Sequence, residues 1–263
     1  MSDPLVRVSD FSYDAGGKRI LDRVSFTVHP GEYLSIIGPN GAGKTTLLKC
    51  LCRVLRGGEG QLEIRGRSLA SYGQIELAKT AAYVPQAGIM AFPFTVSEFV
   101  RMGRYSHLGP FSAFMERDVQ AVHRALAMTE TEDLSERTIN SLSGGERQRV
   151  WIAAAVAQES EMLLLDEPAT YLDPKHQMHI LQILQSLNRD HGVTVLSVTH
   201  DVNGALAAGG RILALREGSV VFWGSGEELL ADKTLEKIYS VPFYILDHPK
   251  AGKRVAAFEE ERA

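Results

Sequence analysis

Residues 36–46 read IIGPNGAGKTT, where an apolar strand end runs into three glycines, one lysine and two threonines. The apolar end is typical of a buried strand, and TTLLKCLCRVL, which starts at Thr45, is typical of a helix. Between them, GPNGAGKT at 38–45 fits the pattern G-x-x-x-x-G-K-[ST]. Because strand, glycine loop and helix follow in the required order, the sequence predicts a phosphate-binding loop rather than a chance match in a surface turn.

This loop, called the P-loop below, suits a nucleoside triphosphate. Glycine lets successive backbone N–H groups turn inward around an anion, and the N-terminal end of the following helix adds positive potential. Lys44 is expected to reach the β and γ phosphates, Thr45 to offer its hydroxyl to Mg²⁺, and Thr46 to contact the α phosphate. The expected nucleotide-binding residues of the loop are Gly38, Pro39, Asn40, Gly41, Ala42, Gly43, Lys44, Thr45 and Thr46.

A second run, MLLLDE at 162–167, places two carboxylates directly after four apolar residues. Asp166 falls at the carboxyl end of the predicted strand, where the ligands of parallel sheets lie. Asp166 is therefore expected to support Mg²⁺, and Glu167 to polarise the attacking water. The alternative, two exposed acids that end a strand, is disfavoured by the P-loop upstream. The chain has no N-K-x-D element for guanine, so ATP is the expected nucleotide.

Composition narrows the class of protein. The chain has 263 residues, of which 44% are hydrophobic and 23% charged, with a formal net charge of -4. These values are ordinary for globular proteins and argue against a dedicated nucleic-acid binder, so no nucleic-acid partner is expected. No apolar run approaches the roughly 18 residues of a membrane-spanning helix, and the start lacks the pattern of a signal peptide, which favours a cytoplasmic protein.

The pattern along the chain separates strand-rich flanks from a helical middle. Strands are expected in LVRVSDFSY, RVSFTV, YLSIIG, GQLEIRG and AAYVP, and again at 162–166 and 194–200. Helices are expected around 95–104, 116–127 and 143–158, an amphipathic helix before 194, and a hairpin in RILALREGSVVFWG. The charged final stretch, AGKRVAAFEEERA, is expected to fray.

These patterns predict an α/β fold with a P-loop NTPase core and an inserted helical subdomain. The core is expected to span 1–86 and 159–263, with a mostly parallel sheet and an N-terminal antiparallel β part. The insertion is expected to span 87–158 and to carry a second anion-binding corner, in LSGGERQR at 142–149. There Ser143, Gly144 and Gly145 begin a predicted helix. If the helical block holds this corner and the P-loop apart, a complete nucleotide site requires two chains facing head to tail.

At this point the sequence resembles the ATP-binding subunit of ABC transporters, whose signature is LSGGE. The resemblance covers nearly the whole chain and implies that Tyr13 stacks on adenine, contributing about 0.5–1.5 kcal/mol beyond burial. A core tyrosine is the alternative reading of that residue. The resemblance further implies that Gln86 senses Mg²⁺ and the γ phosphate, that Asp173 crosses the dimer interface, and that His200 is the switch histidine.

The resemblance completes the expected functional sets. The expected catalytic residues are Lys44, Gln86, Glu167 and His200, and the expected Mg²⁺ ligands are Thr45, Gln86 and Asp166. Two departures from the family pattern are Ala154, where an arginine is common, and Ala169, where a threonine is common. Neither touches the phosphate chemistry, although Ala154 predicts that a supporting ion pair is missing.

Two segments narrow the subfamily. TVSEFVRMGRYSHLGPF (95–111) and YLDPKHQ (171–177) are most similar to importers of iron–siderophore complexes, haem and cobalamin, although Ser106 replaces a common proline. The resemblance implies a homodimer that closes on ATP and drives permease subunits at the inner face of the cell membrane. An extracytoplasmic substrate-binding protein is the expected indirect partner. The expectation of import rather than export rests on these two segments.

Other functions stay open at this point. One is a soluble ABC ATPase that moves no solute, which a single P-loop and the lack of a long coiled-coil insertion disfavour. Another is an importer or exporter ATPase for a different substrate, such as a metal ion. A third is a regulatory module that binds ATP without hydrolysis, which the intact Lys44, Asp166, Glu167 and His200 oppose.

Overall fold

The computed structural model describes residues 3–86, 93–109, 113–247 and 254–258. The strands of this part are β1 (Val6–Ala15), β2 (Lys18–Val28), β3 (Tyr33–Ile37), β4 (Glu59–Ile64), β5 (Arg67–Ser68), β6 (Ala81–Val84), β7 (Met162–Asp166), β8 (Thr194–Val198), β9 (Arg211–Arg216), β10 (Ser219–Ser225), β11 (Phe243–Asp247) and β12 (Arg254–Phe258). The α-helices are α1 (Lys44–Leu51), α2 (Gln74–Thr80), α3 (Val96–Met102), α4 (Glu116–Met128), α5 (Gly144–Ala157), α6 (Pro174–Arg189), α7 (Val202–Ala208), α8 (Gly226–Leu229) and α9 (Thr234–Tyr239). Within these ranges, no helix has both the length and the apolar character needed to cross a membrane.

The chain forms two compact units, of which the first comprises Met1–Leu69 and Val198–Ala263. Its N-terminal sheet has the strand order β2-β1-β4-β5, and each neighbouring pair is antiparallel. The alternation of apolar and polar residues sets this sheet, because Val6 and Val8 are buried while Arg7 between them is exposed. The same unit holds β3, which pairs in parallel with β9, and β10, which completes the predicted hairpin with β9. The predicted N-terminal antiparallel β part is confirmed.

The second unit, Ala70–Ser197, holds the parallel pair β6 and β7. All five residues of β7 are buried, as the continuous apolar run MLLL predicts for a strand covered on both faces. Val84 lies opposite Leu165, so both strands end at the same edge. The residues that follow them are therefore brought together, and Gln86 and Glu167 are among these.

Helices α3, α4 and α5 form a core of their own. Val96, Val100, Ala125 and Val150 are fully buried in it, and the rings of Phe99 and Trp151 meet edge to face at 5.0 Å between centroids. The predicted helices around 95–104, 116–127 and 143–158 are thus confirmed as elements, although α3 gives way to a 3₁₀ turn at Gly103–His107. The boundaries of the helical insertion, 87 and 158, stay a prediction. Residues 87–92 and 110–112 lie outside the described part of the chain.

The 3₁₀ turn at 103–107, with the sequence GRYSH, packs against the end of α5. A Cβ on Gly103 would lie 2.2 Å from the carbonyl oxygen of Ala154, so only glycine fits there. Next to it, the buried Arg104 pairs with Asp118 at 3.1 Å and with Glu159 at 2.7 Å. The GRYSH stretch therefore contributes a buried ion pair centred on Arg104, while the expected loss of an ion pair at Ala154 stays a prediction.

The structure corrects two expectations, one about where the first predicted helix ends and one about residues 254–258 of the tail. The first predicted helix ends at Leu51 rather than Leu55, because Arg53 takes a left-handed conformation (φ 55°) and the N–H of Leu55 donates back to the carbonyl of Lys49. In the tail, residues Arg254–Phe258 form β12, paired with β11, while residues 251–253 and 259–263 lie outside the described part of the chain. The side chain of Asn203 makes two hydrogen bonds of 2.9 Å with the backbone of Ala256, which holds β12 on α7.

The buried ion pair yields a stability prediction with a built-in control. Arg104 and Arg124 both lie 2.7 Å from Glu159, but Arg104 is 3% exposed and Arg124 is 54% exposed. Arg104→Ala leaves the buried Asp118 charge without its partner, so we expect a loss of about 3 kcal/mol in the free energy of unfolding. Arg124→Ala should cost less than about 1 kcal/mol. Urea unfolding measures both, and equal losses would contradict this account of the GRYSH stretch.

Candidate functional site

The P-loop connects β3 to α1 in the first unit, as the sequence predicts. Gly38, Gly41 and Gly43 have positive φ angles of 139°, 79° and 96°, a region that favours glycine. Space excludes side chains as well. A Cβ on Gly38 would lie 2.1 Å from the carbonyl oxygen of Leu215, and one on Gly43 would lie 2.7 Å from a methyl carbon of Leu21. Glycine at these two positions is therefore required by backbone conformation and by packing.

Lys44 is held inside this loop. The residue is 5% exposed, and its ammonium donates to the carbonyl of Gly38 at 2.7 Å and to that of Pro39 at 3.0 Å. No side chain caps the N-terminus of α1, where Gly43 precedes the helix. The loop thus combines a buried cation with the N-terminal end of a helix, which is the arrangement that binds phosphate groups.

Other predicted residues of the first unit flank the P-loop. Tyr13 pairs across the sheet with Leu21, the residue that packs on Gly43, and its side chain is half-buried. The backbone N–H of Thr199 donates to the carbonyl of Ile36 at 3.0 Å, just before the loop begins. His200 follows Thr199 and is exposed. This unit therefore brings the region of Tyr13, Lys44 and His200 to the end of β3.

The predicted carboxylates lie together in the second unit. Asp166 ends β7, is 4% exposed, and accepts a hydrogen bond of 3.2 Å from the hydroxyl of Tyr83. Glu167 accepts from Gln86 Nε2 at 3.1 Å and from the Thr170 hydroxyl at 3.0 Å, both at Oε2. Glu167 also has a left-handed backbone, with φ 51°, which is costly for a residue with a side chain. Its orientation is thus fixed by backbone and side-chain contacts.

The predicted Mg²⁺ ligands are compatible with that ion. Mg²⁺ takes one or two protein oxygens, substrate phosphates and water. Among the described residues, no cluster of three or more His, Cys, Asp and Glu side chains could hold a metal unaided. A carboxylate at the end of a buried strand, Asp166, and a hydroxyl in the first turn of α1, Thr45, are the donor types that such a nucleotide-bound ion requires.

The signature forms the predicted second corner. Ser143 caps α5: its hydroxyl accepts from the N–H of Glu146 at 3.3 Å, and its own N–H donates to Glu146 Oε2 at 2.8 Å. The pKa of Glu146 is held below its usual range. The largest cause is the hydrogen bond from the Ser143 backbone N–H, and the Ser143 hydroxyl and Arg137 add to it. Gly144 follows in the first helical turn and is exposed. The corner is thus a capped helix N-terminus with open backbone at Gly144.

Asp173, expected to cross a dimer interface, is exposed and caps α6. Its Oδ1 accepts from the N–H of His176 at 3.0 Å, and its Oδ2 lies 2.7 Å from the ring Nδ1 of the same histidine. These bonds, the backbone one first, hold the pKa of Asp173 below its usual range. Its role between two chains stays a prediction.

The sequence analysis did not identify three residues that hydrogen-bond the predicted carboxylates. Tyr83 bonds Asp166, Thr170 bonds Glu167, and His176 bonds Asp173. Each stands within or shortly after a segment already quoted: Tyr83 in AAYVP, Thr170 three residues after MLLLDE, and His176 in YLDPKHQ. Their hydroxyl and imidazole groups were available as a signal, but which carboxylate each one meets depends on how the chain folds.

Comparison with known proteins gives one family and full-length relatives. The family model described as "ABC transporter" matches residues 21–170. The ferric enterobactin transport ATP-binding protein FepC of Escherichia coli (strain K12) is 37% identical over 90% of this chain and 88% of its own length. The hemin import ATP-binding protein HmuV of Bordetella avium is 40% identical over 93% of this chain and 95% of its own length.

Solved structures agree with the fold. An inward-facing metal-chelate type ABC transporter has a TM-score of 0.85 and 27% identity, covering 98% of this chain and 97% of its own. The ATP-binding cassette MJ0796, a dimer in a post-hydrolysis state bound to ADP and Pi, has a TM-score of 0.72 and 31% identity, covering 84% of this chain and 98% of its own. The predicted α/β fold of this class is confirmed.

The cap of α5 makes a pH-dependent prediction. Because the pKa of Glu146 is lowered in the folded state, the charge stabilises the fold above the unfolded pKa of about 4.3 and the benefit is lost as pH falls through the folded pKa. Glu146→Gln keeps an acceptor for the N–H of Ser143 but removes the charge. We expect the variant to be about 0.5–1 kcal/mol less stable than wild type at pH 7, and nearly equal at the acid end of the folded range. A difference independent of pH in urea unfolding would contradict this role.

Proposed function

The chain belongs to the ABC transporter family, and from this premise we propose that it energises an importer of iron–siderophore complexes, haem or cobalamin. It is an ATP-binding and ATP-hydrolysing subunit, as the family and the cassette bound to ADP and Pi indicate. The observation that carries the substrate class is identity of 37% and 40% to ferric enterobactin and hemin transport subunits over nine tenths of the chain. These two names favour iron–siderophore complexes and haem among the three.

The P-loop is the part that would hold the triphosphate. Its positive-φ glycines and the buried ammonium of Lys44 support the assignment of the β and γ phosphates to this loop. Mg²⁺, when bound, would neutralise phosphate charge with Thr45 and Asp166 as protein ligands. Half-buried Tyr13, beside the strand that packs on Gly43, is the proposed adenine platform.

Glu167 is the proposed base for the attacking water. Its Oε2 already accepts two hydrogen bonds, from Gln86 and Thr170, and so its position is set before any substrate arrives. The carboxylate would accept a proton from the attacking water and orient it. Gln86 is the proposed sensor next to it, and His200, which is exposed beyond the end of β8, is the proposed contact to the γ phosphate.

Two copies are proposed to share two ATP molecules. The P-loop of one copy would face Ser143, Gly144 and Gly145 of the other, so that the γ phosphate joins two donor-rich surfaces. Hydrolysis would remove this bridge and let the copies separate. The MJ0796 cassette, which is a dimer bound to ADP and Pi, supports the proposal of a dimer. Asp173 is proposed to lie at the interface between the copies.

The partners follow from the transporter family. The relatives are named as ATP-binding proteins for transport or import, and permease subunits in other chains are the proposed route for the substrate. The chain would then act at the inner face of the cell membrane. An extracytoplasmic binding protein is the proposed source of the substrate, and the ATPase need not touch that substrate.

The base assignment gives a direct test. Glu167→Gln removes the carboxylate but keeps a side chain of the same shape, so kcat should fall by at least about 10²-fold while ATP affinity stays within about twofold. The variant should accumulate an ATP-bound dimer, measured by light scattering after size exclusion. Glu136→Gln, an exposed surface change, serves as the control and should match wild type. Unchanged phosphate release by Glu167→Gln would remove Glu167 from the mechanism.

Uptake by cells tests the substrate class. A host strain lacking this chain should lose uptake of radiolabelled ferric siderophore or hemin, because the permease would have no source of energy. Wild-type chain should restore uptake and Glu167→Gln should not, while amino-acid uptake stays unchanged throughout. Normal uptake of ferric siderophore, hemin and cobalamin in the deletion strain would exclude the proposed cargo and leave a non-transport ATPase or another substrate.

A further inference from the structure

The side chain of His176 packs directly on the signature. A Cβ placed on Gly145 would lie 2.2 Å from His176 Cδ2 and 2.7 Å from Cγ, so the imidazole occupies the space that any larger residue would need. Gly145 is buried, whereas His176 is half-buried at the start of α6. Glycine is therefore required at position 145 because it leaves room for this ring.

The ring is held in this position by Asp173. A carboxylate only accepts hydrogen bonds, so His176 Nδ1 carries the proton in the 2.7 Å contact with Asp173 Oδ2. The other oxygen of Asp173 accepts from the backbone N–H of His176 at 3.0 Å. Both ends of the histidine are thus fixed by one carboxylate, which orients the ring towards Gly145.

The same loop leads back to Glu167. The Thr170 hydroxyl bonds Glu167 Oε2 at 3.0 Å, and the N–H of Thr170 donates to the carbonyl of Glu167 at 3.3 Å. Leu172 follows, with its N–H bonded to Ala169 and a methyl carbon 3.5 Å from where a Cβ on Gly144 would lie. A short run of contacts therefore connects the signature glycines to the carboxylate proposed as base.

We infer that His176 is a positioning residue that ties the signature to the loop carrying Glu167. When ATP draws the signature towards the partner copy, the Gly145–His176 contact passes that displacement to residues 167–173. The inference rests on the proposed function, because it concerns the turnover that Glu167 supports. It assigns a role to the KHQ part of the YLDPKHQ segment, which the nucleotide site itself does not use.

Helix α6 offers a matched control one turn further along. His179 is 29% exposed and pairs with Glu130 at 2.9 Å, while His176 is 34% exposed and pairs with Asp173 at 2.7 Å. Both are histidine–carboxylate pairs on the same helix. Glu130 belongs to the turn after α4 rather than to the loop of Glu167, so removing His179 should leave turnover unchanged.

The test measures ATPase kinetics of the full chain as His176→Ala, His176→Asn and His179→Ala. We expect His176→Ala to lower kcat by roughly 10-fold or more, because small misplacements of a catalytic group are costly. Its KM for ATP should change by less than about twofold, because the P-loop is intact. Asn at 176 can still donate to Asp173 and should restore kcat to within about threefold of wild type. His179→Ala should match wild type.

The outcomes separate this inference from the proposed function. Equal kcat for His176→Ala and wild type would overturn the role of His176 while leaving the ATPase assignment intact. Equal losses in His176→Ala and His179→Ala, or a parallel rise in KM, would indicate general destabilisation and would also overturn it. Thermal unfolding of each variant checks that the protein is folded. Absence of phosphate release by wild-type protein would instead refute the proposed function, and the inference would fall with it.

Discussion

The site depends on one constraint: the backbone must approach an anion closely at the point where a buried strand ends. Gly38 and Gly43 meet this constraint through positive φ angles and through contacts that leave no room for a Cβ. Lys44 is buried in the same loop and bonded to two of its carbonyls, so the cation is positioned before phosphate binds. Preformed donors of this kind need little rearrangement when the ligand arrives, which is the physical basis of their strength.

In the second unit, side-chain hydrogen bonds position the candidate functional groups in advance. The parallel pairing of β6 and β7 brings Gln86 beside Glu167, and Thr170 adds a second donor to the same carboxylate oxygen. The signature is held by a reciprocal cap between Ser143 and Glu146, and it contacts the loop of Asp173 through His176. The carboxylate proposed as base and the signature therefore belong to one connected set of contacts.

Local patterns predicted the strand, loop and helix of the P-loop and the strand that ends at Asp166, and tertiary contacts account for what they missed. The P-loop and the MLLLDE strand are recognisable because the spacing of glycine, lysine and acid residues carries the chemistry. The GRYSH stretch is different, because its Arg104 pairs with Asp118 and Glu159, which are 14 and 55 residues away. Local sequence patterns do not identify such distant partners. The same holds for the end of α1 and for β12, whose pairing with β11 overrides the high charge of the tail.

The central claim is that ATP is bound between the P-loop of one copy and the signature of a second. Mixing two inactive variants, Lys44→Ala and Ser143→Arg, tests it most directly, because a mixed dimer has one site in which both elements are wild type. The account predicts that the mixture releases phosphate well above the sum of the separate variants. A mixture no more active than its two components, under conditions in which mixed dimers are shown to form, would contradict it.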